Sequence, residues 1–341
     1  MHKLDKTIVI AEAGVNHNGN LKLAKKLIDI ASISNADYVK FQTFKAENLV
    51  TKKVKKAQYQ ILNSKNKNET QFEMLKKLEL NYSDYKKLKA YSKKKKIKFL
   101  STPFDEDSFD LLKKVGLSII KISSTDLTNI PFLQYISKNS SNKMKIILST
   151  GMGTIPEIKE AVKNLIKFNI KKNNITVLHC TSNYPASDGS LNLNALTTMK
   201  NQLNLKIGYS DHSIDDIASL VAVSKGATVI EKHFTINKKL NGPDHKASLN
   251  PKELYKFVKN IKRVNTILGS YKKKVTKEEL NVKKIVRKSI FAKINIIKGE
   301  IFTKNNLTIK RPGTGMNPKK YFSLLGKKSN KKYNKDEAIK R

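Results

Sequence analysis

Two lysines interrupt short apolar segments of the chain. Lys40 lies in YVKFQ and Lys121 lies in IIKIS. An ammonium group among Ile and Val side chains is costly to bury unless it meets an anion. Lysine binds phosphate as a point charge, so the pair predicts a site for a phosphate or a carboxylate. The alternative is one Schiff-base lysine and one structural salt bridge. A Schiff base by itself would not explain the second lysine. Hydroxyl side chains that can complete an anion site follow other apolar segments: Thr102, Ser124, Ser149 and Ser210.

Two histidines follow later apolar segments of the same kind. His212 stands in YSDHS and His233 stands in IEKHF. If these segments are neighbouring strands, both imidazoles can reach one ion, and two neutral histidines with carboxylate or water ligands suit Mn²⁺, Mg²⁺, Co²⁺ or Zn²⁺. Such a shell leaves positions open for water and substrate, as Lewis-acid catalysis requires. Two ordinary buried histidines with satisfied hydrogen bonds are the alternative.

An acidic residue ends the first apolar segment. Glu12, in IAEAGVNHNG, can act as a general acid or base or can orient a substrate hydroxyl. It can also pair with Lys40 across two neighbouring strands, and the two interpretations are compatible. Glu231 stands at the end of the last apolar segment, and we assign no role to it from the sequence.

Short segments rich in Ile and Val predict the strands that would position these residues. They are 7–11, 37–41, 97–101, 118–122, 144–149, 175–180, 206–210 and 228–232. Amphipathic stretches with helical spacing lie between them, and Thr154 with Glu157 forms a capping box. Eight β–α units predict an α/β protein with a (β/α)8 TIM barrel, whose active site lies at the carboxyl ends of the strands. A doubly wound open sheet is the alternative, but no G-x-G-x-x-G motif follows the first strand.

The character of the sequence changes after Gly269. Residues 271–284 are polar and predict a linker, part of which can be helical because the pattern suits a helix as well. Residues 285–341 contain strand-sized runs separated by Gly and Pro, which predict a small, mostly β domain. We therefore expect a barrel domain over 1–270, a linker over 271–284 and a small domain over 285–341.

The charge of the chain is unusual, with 68 Lys and Arg residues against 28 Asp and Glu residues and a net charge of +40. Four of the basic residues are arginines, and the lysines are spread along all 341 residues. Nucleic-acid surfaces favour Arg and concentrate their charge, so we expect no specific nucleic-acid partner, with non-specific binding as the alternative. No apolar run approaches the ~20 residues of a membrane span, and the single cysteine, Cys180, excludes a disulfide framework. We expect a cytoplasmic protein.

Motifs along nearly the whole chain resemble the sialic acid synthase family. They are IAEAGVNHNG (10–19), VKFQTF (39–44), FLSTPFD (99–105), IKISS (120–124), ILSTGMGT (147–154), LHCTSNYPAS (178–187), GYSDHS (208–213), IEKHFT (230–235), GPDHKASL (242–249), VRKSIFA (286–292), IIKGE (296–300) and LTIKRPGTG (307–315). Because they occur in order, the resemblance depends on no single motif.

The resemblance implies a (β/α)8 barrel followed by a small SAF domain, an antifreeze-like β-clip fold. It implies a domain-swapped homodimer in which the small domain covers the partner's barrel mouth. It also implies a metal-dependent condensation of phosphoenolpyruvate with an N-acyl amino sugar, which gives a nine-carbon keto acid and releases phosphate by C–O cleavage. We expect N-acetylmannosamine as the sugar and Mn²⁺ as the metal, with Mg²⁺ or Co²⁺ as alternatives.

The resemblance also assigns roles to residues of this chain. It places the metal on His212 and His233, and it makes Glu12, Lys40 and Lys121 the expected catalytic groups. Arg311 is expected to reach the acetamido group of the sugar. The remaining substrate-binding residues are Gln42, Thr102, Ser124, Ser149, Ser182, Tyr184, Ser210 and Asp244.

Two positions depart from the family pattern. Asp126 stands where many members have Glu, and Ser182 stands where some members have Asn, which leaves two sugar contacts open. A 2,4-diacetamido-trideoxyhexose, which would give legionaminic or pseudaminic acid, is the alternative sugar. The motifs EAGVNHNG and SNYPASD resemble legionaminate synthases at least as closely as they resemble neuraminate synthases. A Schiff-base pyruvate aldolase is the alternative enzyme class.

Overall fold

The computed structural model of the protein describes residues 6–63 and 68–340. The chain divides into two compact units, Met1–Gly269 and Ser270–Arg341. Within the described residues, no helix is long and apolar enough to cross a membrane.

The first unit is built around a nearly closed barrel of eight strands, as the sequence predicts. Every strand pair in the sheet is parallel, and the strand order is β3-β2-β1-β8-β7-β6-β5-β4. The strands are β1 (Ile8–Gly14), β2 (Tyr38–Thr43), β3 (Lys98–Pro103), β4 (Ile119–Ile122), β5 (Lys145–Ser149), β6 (Ile175–Cys180), β7 (Lys206–Asp211) and β8 (Val229–His233).

Helices separate these strands along the chain. They are α1 (Leu21–Ile33), α2 (Ala46–Leu49), α3 (Gln58–Asn63), α4 (Gln71–Lys76), α5 (Tyr82–Lys94), α6 (Glu106–Lys114), α7 (Ile130–Asn139), α8 (Ile155–Ile166), α9 (Asp188–Leu191), α10 (Ala195–Leu203), α11 (Ile217–Ser224) and α12 (Pro251–Leu268). The main core packs outward-facing strand residues such as Val9 and Phe41 against helix residues such as Leu27 and Leu88. The predicted capping of α8 is present, because Glu157 accepts hydrogen bonds from both the backbone N–H and the hydroxyl of Thr154.

Several strands extend further at their carboxyl ends than the apolar pattern predicts. β1 continues to Gly14, β2 to Thr43 and β3 to Pro103. The physical reason is that the parallel ladder pairs backbone groups, so polar side chains do not end it. The register pairs Glu12 with Lys40 and with His233, which places these three residues at one level of the barrel.

A long connection separates β2 from β3, and we call residues 44–97 the β2–β3 excursion. It contains α2 to α5. Some of its apolar residues, among them Phe44, Met74, Leu75 and Leu78, form a second, smaller cluster together with Val15.

The second unit contains short helices and a small antiparallel sheet. Its elements are α13 (Lys277–Val286), β9 (Ser289–Ala292), β10 (Leu307–Lys310) and α14 (Tyr321–Leu324). β9 pairs with β10 around a core that includes Ile290 and Tyr333. Helix α13 occupies the second half of the segment expected to be a linker, 271–284. Thr276 begins this helix with a capping box closed by Glu279.

Candidate active site

A cavity of about 520 Å³ opens among the carboxyl ends of the barrel strands. The sequence-predicted residues of the first unit all line it: Glu12, Lys40, Gln42, Thr102, Lys121, Ser124, Ser149, Ser182, Tyr184, Ser210, His212, His233 and Asp244. Arg311 lies in the second unit, where it is exposed and directly follows β10. Its expected role therefore stays a prediction.

Two lysines and two glutamates form a buried ionic cluster on the floor of the cavity. Lys40 Nζ lies 2.9 Å from Glu12 Oε1 and 3.6 Å from Glu231 Oε1. Lys121 Nζ lies 3.1 Å from the same Glu231 oxygen. The exposed fraction of each of these four side chains is 5% or less. Charges so far from water persist only when they are paired, and here each cation has a carboxylate.

The pKa values within this cluster diverge. Burial raises the pKa of Glu12 to about 7, although Lys40 pulls it down. Burial also acts on Glu231, but its two lysine neighbours outweigh burial and hold its pKa well below the usual range. The pKa of Lys121 is lowered because burial outweighs its attraction to Glu231. Glu12 is thus the carboxyl group that can exchange a proton near neutral pH.

Hydroxyl and amide groups surround the cluster. Lys40 donates to Thr102 Oγ1 at 3.0 Å, and Ser210 donates to Glu231 Oε1 at 3.2 Å. Gln42 donates to Glu12 Oε1 at 3.2 Å. One oxygen of each glutamate, Glu12 Oε2 and Glu231 Oε2, is buried without a hydrogen-bond partner, and so is Ser149 Oγ. These atoms can accept or donate hydrogen bonds to a bound substrate.

Two glycines make room for the site. Gly14 has a φ of +51°, and a Cβ there would approach Gln42, Glu12 and His233 at 3.3–3.4 Å. Gly151 donates its backbone N–H to Ser124 Oγ at 2.9 Å, and a Cβ at Gly151 would overlap the hydroxyls of Ser124 and Ser182. A side chain at either position would therefore displace groups that line the cavity.

Two imidazoles stand at one side of the cavity. The ring centroids of His212 and His233 are 5.7 Å apart, and the ring of Tyr184 lies 4.0 Å from that of His212. His212 Nδ1 is 2.7 Å from the carbonyl oxygen of Thr181. Because a carbonyl only accepts, Nδ1 keeps its proton whenever the ring is neutral, and Nε2 then has a free lone pair. Burial lowers the pKa of His212, but its contacts with Cys180 and the Thr181 carbonyl outweigh burial and raise it.

His233 has the environment of a neutral imidazole. Its Nδ1 is buried without a hydrogen-bond partner and lies 4.0 Å from Asp244 Oδ2. Burial and the neighbouring His212 hold the pKa of His233 well below its usual range. Burial also raises the pKa of Asp244 to about 6. A neutral ring with an unused lone pair is what a metal ligand requires.

The donor set fits a metal that takes two protein ligands. In residues 6–63 and 68–340, no group of three or more His, Cys, Asp or Glu side chains is placed to hold a metal ion. An ion at His212 and His233 would draw its other ligands from water or substrate. Mn²⁺, Mg²⁺ and Co²⁺ all accept such mixed nitrogen and oxygen shells.

Two site-related residues differ from the sequence-based expectations. Glu231, which received no role, accepts hydrogen bonds from Lys121 and Ser210 and is central to the cluster. Its position at the end of β8, in register with Ser210, is the signal that could have identified it. Asp126, expected to affect sugar contacts, is buried, is not among the residues that line the cavity, and accepts a hydrogen bond from Asn129.

The barrel and the buried ionic cavity at the carboxyl ends of its strands define the class of this protein, a (β/α)8-barrel enzyme. The chain belongs to the NeuB family, whose family model matches residues 27–273. It is 51% identical over 336 residues to N,N'-diacetyllegionaminic acid synthase of Campylobacter jejuni, covering 98% of this chain and 99% of that protein.

Two further comparisons agree with this membership. The chain is 44% identical to N,N'-diacetyllegionaminic acid synthase of Legionella pneumophila, over 93% of this chain and 89% of that protein. It also resembles the crystal structure of the N-acetylneuraminic acid synthetase of Leptospira borgpetersenii, with a TM-score of 0.69 and 36% identity over 81% of this chain and 90% of that one.

Proposed function

We propose that this protein condenses phosphoenolpyruvate with a 2,4-diacetamido-2,4,6-trideoxyhexose to give N,N'-diacetyllegionaminic acid and phosphate. The observation that carries the reaction type is the buried cluster of Lys40, Lys121, Glu12 and Glu231 beside two imidazoles. The sugar is the alternative that the sequence left open, because identity is 51% and 44% to two legionaminate synthases against 36% to a neuraminate synthase.

The cluster supports the binding of an anion that carries both a carboxylate and a phosphate. Its two lysines and two glutamates balance when all four groups are ionised. Protonation of Glu12, whose pKa is raised to about 7, leaves the cluster with net positive charge. Lys40 and Lys121 can then face phosphoenolpyruvate, with Thr102, Ser149 and Ser210 as hydrogen-bonding neighbours.

The covalent course follows from the substrates. C3 of phosphoenolpyruvate forms a bond to the aldehyde carbon of the open-chain sugar, and C2 gains positive character. Water adds to C2, and the C2–O bond to phosphate breaks. Glu12 can move the protons of these steps, and its unpartnered Oε2 can face the positive character at C2. The lysines offset negative charge on the departing phosphate.

His212 and His233 would hold the divalent metal, with Mn²⁺ as the first candidate. When bound, such an ion would polarise the aldehyde oxygen as a Lewis acid. Asp244 and Tyr184, next to the two imidazoles, would orient the sugar. The SAF fold of the second unit, the domain-swapped homodimer, the reach of Arg311 to the acetamido group and the cytoplasmic location also stay predictions.

Product analysis tests the proposal most directly. The full chain is incubated with Mn²⁺, phosphoenolpyruvate and one sugar at a time, and phosphate release and product mass are measured. We expect efficient turnover of the 2,4-diacetamido sugar and loss of activity in EDTA. Faster turnover of N-acetylmannosamine would favour neuraminate synthesis. Activity that survives EDTA, together with borohydride trapping of pyruvate on a lysine, would instead identify a Schiff-base aldolase.

A further inference from the structure

The cavity has an apolar half, which the anion site and the imidazoles do not use. It is lined by Val15, Phe44, Met74, Leu75, Leu78 and Phe104, and we call these residues the apolar half. The exposed fraction of each of the first five is 9% or less. These side chains line the same cavity as the ionic cluster, so the two substrates that fill it together must present an anionic group to the cluster and apolar groups to this half.

The apolar half is built by elements that are far apart in sequence. Val15, Phe44 and Phe104 directly follow β1, β2 and β3. Met74 and Leu75 belong to α4 and Leu78 follows it, inside the β2–β3 excursion. The half is therefore continuous with the strand ends that carry Glu12, Lys40 and Thr102.

Local contacts hold this wall in place. Phe44 and Phe104 pack edge to face with ring centroids 6.2 Å apart. Glu79 accepts a hydrogen bond from the backbone N–H of Ala46 at 2.7 Å, which ties the end of the α4 segment to the start of α2. Thr70 caps the start of α4 through a capping box with Glu73. These contacts fix the positions of the side chains in the wall.

Two amide side chains line the same part of the cavity. Gln71 Nε2 lies 3.3 Å from Gln60 Oε1, which also accepts the backbone N–H of Ala57 at 2.9 Å. The exposed fraction of Gln60 is 8%. Primary amides pair well with another amide, because each offers both a donor and an acceptor.

We propose that the apolar half is the subsite that selects the acceptor sugar by its distal end. It takes the C6 methyl and the C4 acetamido group of a trideoxy sugar, with Gln60 and Gln71 next to the acetamido amide. A C6 hydroxyl against Met74 and Leu78 would lose its hydrogen bonds to water without replacement, whereas a methyl group gains from burial. This inference rests on the proposed function and names the structural basis of its sugar preference.

Replacement of one wall residue by a polar residue of similar size tests the subsite. Met74→Gln keeps the length of the side chain and adds an amide, and Met74→Leu is the matched apolar control. For each enzyme, kcat/KM is measured with 2,4-diacetamido-2,4,6-trideoxymannose and with N-acetylmannosamine. We expect the wild-type enzyme to prefer the first sugar, Met74→Gln to reduce that preference about tenfold, and Met74→Leu to keep it. The KM for phosphoenolpyruvate should not change.

The ratio of the two kcat/KM values on one preparation does not depend on the fraction of folded enzyme. If Met74→Gln yields no protein, Phe104→Tyr adds a hydroxyl to the same wall and should also reduce the preference. A wild-type preference that neither variant changes overturns the subsite but leaves the proposed function intact. A wild-type enzyme that prefers N-acetylmannosamine, or accepts neither sugar, overturns the subsite and the assigned sugar together.

Discussion

Glu231 illustrates how burial and pairing act on one residue. It lies within 3.1–3.6 Å of two ammonium groups and accepts the hydroxyl of Ser210. Removal of its carboxylate would leave Lys121 without its charge partner in a site that excludes water, which typically costs about 3–5 kcal/mol. The same carboxylate keeps both lysines in position beneath the cavity. Glu231 can therefore organise the anion site by pairing with the lysines, without taking part in the reaction itself.

His212 provides a test of the metal assignment. His212→Ala should reduce Mn²⁺-dependent phosphate release by at least about 100-fold, because one of two protein ligands is lost, and the loss should persist at high Mn²⁺. His179→Ala is the matched control, since His179 lies one residue before the end of β6, forms a hydrogen bond with the carbonyl of Leu191 and does not line the cavity. Full activity of His212→Ala would refute the assignment. Mn²⁺ binding by His212→Ala that equals Mn²⁺ binding by His179→Ala would refute it as well.

The 3-10 turn that follows β4 serves two sides of the structure. Ser124 faces the cavity and accepts the N–H of Gly151. Asp126, two residues later, is buried and accepts an N–H from Asn129 at the start of α7. Its second oxygen, Oδ2, has no partner. This carboxyl group therefore stabilises the turn through its hydrogen bond, but its ionisation lowers the stability of the folded state.

Asp126→Asn tests that cost through the pH dependence of stability. Burial raises the pKa of Asp126 to about 6, above the ordinary value of 3.8. The native state holds this proton more tightly than the unfolded chain, so wild-type stability falls as the pH rises from about 4 to about 6 and stays lower above. An amide cannot ionise. Between pH values of about 4 and about 6, the free energy of unfolding of Asp126→Asn should therefore rise by about 1–3 kcal/mol relative to that of the wild type.

Urea denaturation at pH 4.5 and pH 7.5 provides the measurement for Asp126→Asn. Asp107→Asn is the control, because Asp107 is exposed on α6 and its hydrogen bond with Lys45 lowers its pKa. It should show no comparable gain with pH. An Asp126→Asn difference that stays constant between the two pH values would contradict a raised pKa.

The strands and helices of the barrel were predictable because their signal is local. Apolar runs of strand length and capping residues such as Thr154 locate elements in the sequence. The carboxyl ends of β1 to β3 were not, because Glu12, Gln42 and Thr102 are polar yet remain in the backbone ladder. The sequence left helix α13 open as well, since its exposed, polar residues suit either a helix or a linker.

A stretch of chain without regular secondary structure connects the two compact units in sequence. α12 ends at Leu268 and α13 begins at Lys277, and residues 269–276 are exposed. The stretch contains the lysine run 272–274. Backbone that is exposed and outside helices and strands is the usual target of proteases.

Limited digestion with trypsin tests the predicted domain division. Early cleavage should fall after Lys272, Lys273 or Lys274, although lysines are spread along the whole molecule. Lysines in helices and strands should be protected, because cleavage there requires local unfolding. Mass spectrometry of early fragments identifies the sites. Cuts inside the barrel strands or helices before any cut at 272–274 would contradict a boundary at this position.

The sequence alone determined which polar side chains lie at or just past the end of each apolar run, and therefore which side chains share one edge of the barrel. Parallel strands in a barrel carry their carboxyl ends to the same face, so Lys40, Lys121, His212 and His233 were identifiable without coordinates. The tertiary structure decided which charges pair. It joined Lys121 to Glu231, paired Asp126 with Asn129, and assembled the apolar half from three strand ends and α4. These distances depend on strand register and on the paths of long connections, which local sequence patterns do not encode.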